Sequence, residues 1–452
     1  MKRPEVTPQD IPQWREILAR DTRKVPEVLY FENKPDYGTE PIPLERYVSA
    51  DYHRREVAQL WRKVWQFACF EEDIPNVGDY TTYEIAGISI VVTRSGAQEF
   101  SAFYNACLHR AAQLVQAPGN AACFVCPFHG WTFGLDGTLT NVPASWDFPH
   151  VCAGRDRIQP VRVERYNGFL FVNLDPDAEP LLEYLDPLPL HLAHFPIEGR
   201  RQRVAWARKI VPGNWKVAVE AFQEGYHVPI THHQLAESIS SYETETDILG
   251  RHVSRLTGAS TVPNCVTGPD ITEQELLDIA MRGLSQAGGP KVTVPEGMTA
   301  RAVLAEATRA MMKQATGIDV SAVSDVEMID HQLFHVFPNT VIWGSWSMPI
   351  VYRWRPNGND HTTAIFDIFM FLVHPEGATI PPPAPVTDLR LDQPFAEAAC
   401  LGYFGPIVDQ DVSNLILQAR GMATTPEAGL NYGRRTEVLI RHFNRVLDEM
   451  LG

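Results

Sequence analysis

Two histidines five positions apart, His227 and His232, lie in the stretch 214–233, which reads NWKVAVEAFQEGYHVPITHH. Glu224 precedes His227 by three positions, a separation that shares one face of a helix. Pro229 lacks an amide N–H and fixes φ, so it ends or kinks a helix there. His232 then returns from a turn. Two imidazoles presented this way can take adjacent positions on one metal ion. With a distant carboxylate they compose a 2-His-1-carboxylate triad, which leaves positions on iron(II) open to oxygen. The competing reading is structural: the chain has 15 histidines, and most histidine pairs pack rather than ligate.

A second cluster lies upstream, in ACLHRAAQLVQAPGNAACFVCPFHGW. Cys107 and His109 form Cys-x-His. After sixteen intervening residues Cys126 and His129 form Cys-x-x-His. Each loop offers one thiolate and one imidazole, the donor set of a Rieske 2Fe–2S cluster. A structural zinc could use the same four groups. Zinc sites more often pair like with like, so the mixed pairs favour iron–sulfur. Pro127 and Gly130 suit tight turns that bring backbone N–H groups close to sulfur. Cys123 falls outside the pattern and reads as a buried free thiol.

The frame around these motifs is an ordinary globular chain. Its 452 residues suggest two or three domains. A net charge of −16 argues against a nucleic-acid partner. The first thirty residues hold no secretory apolar run, and no stretch approaches a membrane span. Seven cysteines without a secretion signal read as ligands and free thiols, and the expected compartment is the cytoplasm. No dinucleotide fingerprint is present, so hydride chemistry belongs to another protein.

The elements that must position the motifs follow in order. Residues 1–44 are Pro-rich and charged, with a short helical patch at 14–18. They read as an arm laid over a surface or a subunit contact. Ser49 or Asp51 caps a helix to about Val64. A hairpin bends near Ala86-Gly87, and strands at 100–105 and 169–174 complete a small all-β unit over 45–178. The remainder, 179–452, carries strands at 204–211, 331–345, 349–356 and 362–373. Its helices are expected at 215–226, from Thr272 to about Leu284, at 300–316, 408–420 and 434–451. The Thr272–Glu275 pair is a capping box. The insertion at 255–298 and the helix after it either cover a pocket or decorate the surface. Trp215 and Tyr226 read as packing, and Phe222 and Phe334 as candidates for a pocket wall.

Taken together, the two metal motifs in this order resemble the Rieske non-haem iron oxygenases, in particular the large (α) subunit of the ring-hydroxylating type. The resemblance extends over nearly the whole chain. It implies an α+β fold, a Rieske β-domain followed by a helix-grip domain with an antiparallel sheet. It implies Cys107 and Cys126 on one cluster iron, His109 and His129 on the other, and His227 and His232 on a mononuclear Fe(II). The third ligand is then an Asp near the C-terminus: Asp411, with Asn414 three residues on, fits the family's pattern best, and Asp409 is the runner-up. Glu224 would bridge to a cluster histidine of a neighbouring subunit for electron transfer. Asn214 is a candidate neighbour of the iron ligands. The implied partners are a ferredoxin or flavin reductase, O2 and a small molecule. The implied assembly is a homotrimer, with or without a small β subunit. The implied reaction is mono- or dioxygenation of an aromatic or other hydrophobic compound, as in aromatic hydrocarbon catabolism. Oxidative N- or O-demethylation is the alternative, and a pure electron-transfer Rieske protein is the rival of another class.

Overall fold

The computed structural model describes residues 6–193, 195, 198–282, 291–346 and 349–452. The chain divides into two compact units. The smaller comprises Ser49–Tyr184, Arg355–Thr363 and Met450–Gly452; the larger takes the chain up to Val48, then Leu185–Trp354 and Ala364–Glu449. The break falls after Tyr184 rather than at 178. The reason is packing: the Glu179 carbonyl accepts the Trp65 indole N–H at 2.9 Å, and the Leu181 amide donates to Glu164 at 2.9 Å.

In the smaller unit a seven-stranded sheet and a three-stranded sheet make the β-domain. Asp79–Ile85 and Ile88–Arg94 form the hairpin, with Ala86 and Gly87 both at positive φ, the two-residue turn that suits strand twist. Phe67, Phe70 and Phe169 interlock in the core, with centroids 4.6–5.1 Å apart. Ser49 caps the first helix through the Tyr52 amide, but the α-helix ends at Arg55 and one wide turn, Glu56–Leu60, follows. Val64 therefore lies beyond the helix. Cys123 is exposed, which corrects its reading as a buried thiol.

The larger unit is built on an eight-stranded sheet. Glu245–Ile248, Val253–Gly258, His331–Val336, Thr340–Trp343 and Ile350–Asn357 pair antiparallel in sequence. At the far edge Thr387–Leu389 runs parallel to Arg201–Pro212. The stretch 331–345 is a hairpin and not one strand, with Phe337–Asn339 in the bend. The arm is no loose cover. Trp14, Ile17, Leu18, Val25 and Leu29 bury themselves against Ala259, Val262 and Val326 of the same unit.

Helix Glu273–Ala280 lies within the insertion and Ala300–Thr316 follows it. Thr272 and Glu275 make the capping box; the expected end at Leu284 lies outside the described residues. Arg301 and Arg309 fasten the longer helix through buried ion pairs to Asp330 and Asp325. Leu304, Thr308 and Met311 of the same helix line a cavity.

Near the start of the site lies a buried carboxyl. Glu220 accepts from Tyr47 and Tyr432 at 2.7 Å and from Asn444 at 3.0 Å. Burial pushes it up to about 7, against the pull of these three donors and of Lys216. The unfolded chain ionises this group at ordinary carboxylate pH while the folded chain holds its proton. Stability is therefore fully present below the usual carboxylate range and falls as pH rises toward 7, by about 3 kcal/mol. Glu220→Gln stays neutral throughout. In denaturant titrations at pH 5 and 7.5 the variant should gain about 2 kcal/mol on the wild type at the higher pH; equal shifts would mean the carboxyl does not titrate in the fold.

Candidate metal centres and pocket

The two Cys-His loops share one backbone design. The Cys107 amide donates to the Ala112 carbonyl at 2.8 Å, and the Cys126 amide to the Trp131 carbonyl at 2.8 Å. The Ala111 amide returns to Cys107 at 2.9 Å, and the Gly130 amide to Cys126 at 3.0 Å. Ala111 and Gly130 both take positive φ, 58° and 74°. Spacings of x and x-x within one loop type thus bring both imidazoles to the same place: His109 Nδ1 and His129 Nδ1 lie 3.1 Å apart. Two metal–nitrogen bonds of about 2.1 Å at right angles span roughly 3 Å, so the pair fits one metal ion. Cys107 and Cys126 are buried behind them. Burial pushes the Cys107 thiol up, while backbone N–H groups of His109 and Arg110 point at its sulfur and oppose that shift. Desolvation, then the neighbouring His129 and Arg110, lower His109, which favours the neutral ring that ligation needs. Trp131 stacks flat on His109, centroids 5.2 Å apart.

In the second centre the helix expected at 215–226 is shorter: it runs Trp215–Glu220. Asn214 is its N-cap, accepting from the Lys216 amide at 3.1 Å, and is not among the described residues that line the cavity. Glu224 therefore sits in a turn. A single helical turn, Val228–Thr231, follows, with His227 at its N-cap and His232 at its C-cap. Pro229 falls in that first turn, where a missing N–H costs nothing, so it starts a helix instead of ending one. The five-residue spacing brackets one turn and turns both rings inward.

Asp411 comes from the Phe404–Met422 helix. Its Oδ1 lies 2.9 Å from His232 Nε2 and 3.6 Å from His227 Nε2. All three ligand atoms fall within 4.8 Å of one another, the spacing one metal ion requires. Asp409 points elsewhere: its carboxylate accepts the Phe395 and Ala396 amides at 2.7 and 2.9 Å. Asn414 donates to Thr231 Oγ1 at 2.7 Å and so ties the helix to the histidine turn.

Each histidine is oriented through its other nitrogen. Glu224 Oε1 lies 2.6 Å from His227 Nδ1, and Oε2 accepts the His227 amide at 3.0 Å. Burial alone would lower His227; the bond to Glu224 and its charge, with that of Asp411, outweigh it and raise the ring. His232 Nδ1 lies 2.7 Å from Gln410 Oε1, which also accepts from Gln234 Nε2 at 2.9 Å. Gln410 escaped the sequence reading. Its only signal there was adjacency to Asp411, because consecutive helical residues diverge by about 100°.

The triad opens on a cavity of about 550 Å³. Phe222, Leu333, Trp343, Tyr352 and Phe404 line it, with Leu304, Thr308 and Met311 of the insertion. Phe334 does not; it packs beside His191. Tyr226 is half exposed and lies against Tyr242, so it is not core packing.

Two family models match the chain. The ring hydroxylating alpha subunit (catalytic domain) covers residues 192–452, and the Rieske [2Fe-2S] domain covers 64–151. The chain belongs to the ring-hydroxylating α-subunit family of Rieske non-haem iron oxygenases. Members carry a Rieske cluster and a mononuclear iron, and the two donor sets above suit those groups. Among relatives, the anthranilate 1,2-dioxygenase large subunit of Acinetobacter baylyi is 32% identical over 219 residues, 46% of this chain and 45% of that protein. The carnitine monooxygenase oxygenase subunit of Escherichia coli is 32% identical over 201 residues, 44% and 54% of the two chains. The chain spans about half the length of the curated relatives it matches. A solved quaternary ammonium Rieske monooxygenase superposes with TM-score 0.64 at 18% identity, covering 93% of this chain and 99% of that one. Naphthalene 1,2-dioxygenase superposes at 0.61 and 19%, covering 92% and 93%. Among the described residues no helix is long and apolar enough to cross a membrane.

Proposed function

We propose that this chain is the oxygenase component of a multicomponent Rieske system that hydroxylates a neutral, hydrophobic, aromatic small molecule. The observation that carries the reading is the cavity wall. It touches His227, His232 and Asp411, is mostly apolar, and among its described residues contains no Lys or Arg. A carboxylated substrate would enter without a counter-charge, at the cost of burying an unpaired anion. Cys107, Cys126, His109 and His129 hold the cluster in this reading, and His227, His232 and Asp411 the iron. When bound, these groups supply one-electron transfer and oxygen activation. The chain's own residues orient the ligands, shape the pocket and exclude water.

Glu224 is the inter-subunit link. Its oxygens engage His227, yet a carboxylate has about four acceptor sites, so capacity remains for His109 or His129 of a neighbouring copy. Exposed apolar residues support such an assembly: Ile230 and Tyr403 beside the iron ligands, Phe128 and Trp146 beside the cluster loops. A head-to-tail homotrimer fed by a ferredoxin or flavin reductase is part of the proposal. So is cytoplasmic residence, where NAD(P)H is held and all seven cysteines stay unpaired. The second reading, demethylation of a methylated amine or ether, draws on the aromatic lining of Phe222, Trp343 and Tyr352, since aromatic rings attract cations.

Anaerobic EPR of the ferrous protein with nitric oxide tests the reading. A nitrosyl signal reshaped by arenes supports it, and one reshaped by methylated amines alone moves the assignment to demethylation. Iron-replete protein without a nitrosyl signal would return the chain to pure electron transfer. Gln410 offers a second check. Gln410→Leu removes the acceptor that fixes the His232 tautomer. Iron affinity, measured by competition with a chelator, should fall about 10- to 100-fold, while the cluster spectrum stays unchanged. Unaltered affinity would show that Gln410 does not orient the ligand.

A further inference from the structure

Among the described residues the cavity wall contains one titratable side chain other than tyrosine that neither would ligate iron nor bonds a ligand. His331 opens the strand His331–Val336 and pairs across the ladder with Gly258. Gly258 has no side chain to cover the ring. A Cβ built there would sit 3.8 Å from the His331 Cβ and only 3.1 Å from Ile239 Cγ2, so the close strand packing itself keeps that flank bare. Trp343 meets the imidazole edge-on, centroids 5.5 Å apart and planes at 79°. That contact fixes the ring plane.

The ring lies deep in the protein yet retains accessible surface, and both His331 and Gly258 face the cavity. Among the described residues neither imidazole nitrogen has a hydrogen-bond partner. Three hydroxyls that line the same cavity are already engaged: Thr308 donates to the Leu304 carbonyl at 2.8 Å, Ser238 to Leu235 at 3.0 Å and Thr244 to Ser241 at 2.6 Å; Thr261 Oγ1, also in the wall, has no bond among the described residues. Burial by itself pushes His331 down to about 4, so the imidazole is neutral at physiological pH. A neutral imidazole offers one donor and one acceptor.

We propose that His331 is the specificity-determining hydrogen-bond group of this pocket, reading a hydroxyl, carbonyl or amide substituent on an otherwise apolar ring system. This rests on the apolar reading of the cavity given above. A site built to bond a substrate group discriminates against analogues lacking it, because its own polar atoms are then left unpaired. The hydrogen bond would hold the substrate at the His331 end, and the ring edge presented to the triad would follow from that anchor. Neutral His331, with no cation in the wall, does not suit a carboxylate.

Calorimetry with a matched pair of probes, naphthalene and 2-naphthol, tests the assignment on the purified metal-loaded protein without turnover. The wild type should prefer 2-naphthol by about 5- to 10-fold, the worth of one buried neutral hydrogen bond. The preference should stay flat from pH 5.5 to 8.5, where neither partner titrates. His331→Phe should bring the ratio to within about 2-fold. His331→Asn, which keeps a donor and an acceptor, should restore part of it. Naphthalene binding serves as the fold control, since a collapsed pocket loses both probes. Retention of the full preference in His331→Phe would overturn the proposal, as would equal binding of the two probes to the wild type. Binding of neither probe to the wild type would overturn the apolar reading of the cavity, and this inference with it.

Discussion

Asp411→Ala should yield a protein that keeps its cluster absorption but falls from about three irons per chain to about two. Asp411 is buried and sits between two imidazoles, its Oδ1 at 2.9 and 3.6 Å from their Nε2 atoms. Removing it leaves two neutral nitrogens, a set that holds Fe(II) weakly because the anionic oxygen donor is gone. The cluster loops draw their ligands from a different compact unit, so their colour should persist. Metal analysis with visible spectroscopy reads both quantities in one sample. Asp409→Ala is the contrasting case. It removes the acceptor for the Phe395 and Ala396 amides, so it should lower stability and leave iron in place. The reverse pattern, iron retained in Asp411→Ala and lost in Asp409→Ala, would reassign the third ligand.

Glu224→Gln should spare both metal centres and depress coupled turnover about 10- to 100-fold. The amide replaces one acceptor oxygen by a donor. It can still accept the His227 backbone amide, but it can no longer hold the His227 ring nitrogen and a neighbouring imidazole N–H at once. Its charge, which helps raise His227, disappears too. Three readouts separate a link from a simple prop. Iron content and the ferrous nitrosyl signal report whether His227 is still in place. The rate at which a pre-reduced cluster is reoxidised in the presence of substrate and O2 reports electron passage. Normal iron, a normal nitrosyl and slow reoxidation support the bridging role. Normal reoxidation would leave Glu224 as an orienting group only.

Much of the site is local, and locality explains why residues so close in sequence could be read. The Cys-x-His and Cys-x-x-His loops close through backbone bonds spanning four and five residues. Their geometry therefore follows from types and spacing alone. His227 and His232 bracket one helical turn for the same reason, although the reading misplaced Pro229 as a breaker when it starts that turn. The choice between Asp409 and Asp411 was legible in principle. Val408, Asp411, Val412 and Leu415 form one buried stripe, and a carboxylate on an apolar stripe must meet a partner.

Motif spacing by itself disclosed the two metal-binding motifs, and their order carried the resemblance to the family and so implied the order of the two domains. Those features depend on contacts a few residues long and on alternations a strand or helix repeats. Tertiary structure alone decided the rest. Gln410 meets His232 and Asn414 meets Thr231 only because the late helix packs against the histidine turn, contacts 178 and 183 residues apart in sequence. His331 faces the cavity only because the ladder sets it opposite Gly258, a register that no local pattern of either strand encodes. Helix Ala300–Thr316 covers the pocket because Arg301 and Arg309 find Asp330 and Asp325 beneath it. Where a residue's partner is distant, its face is chosen by the packing of the whole core, and the chain discloses it only when folded.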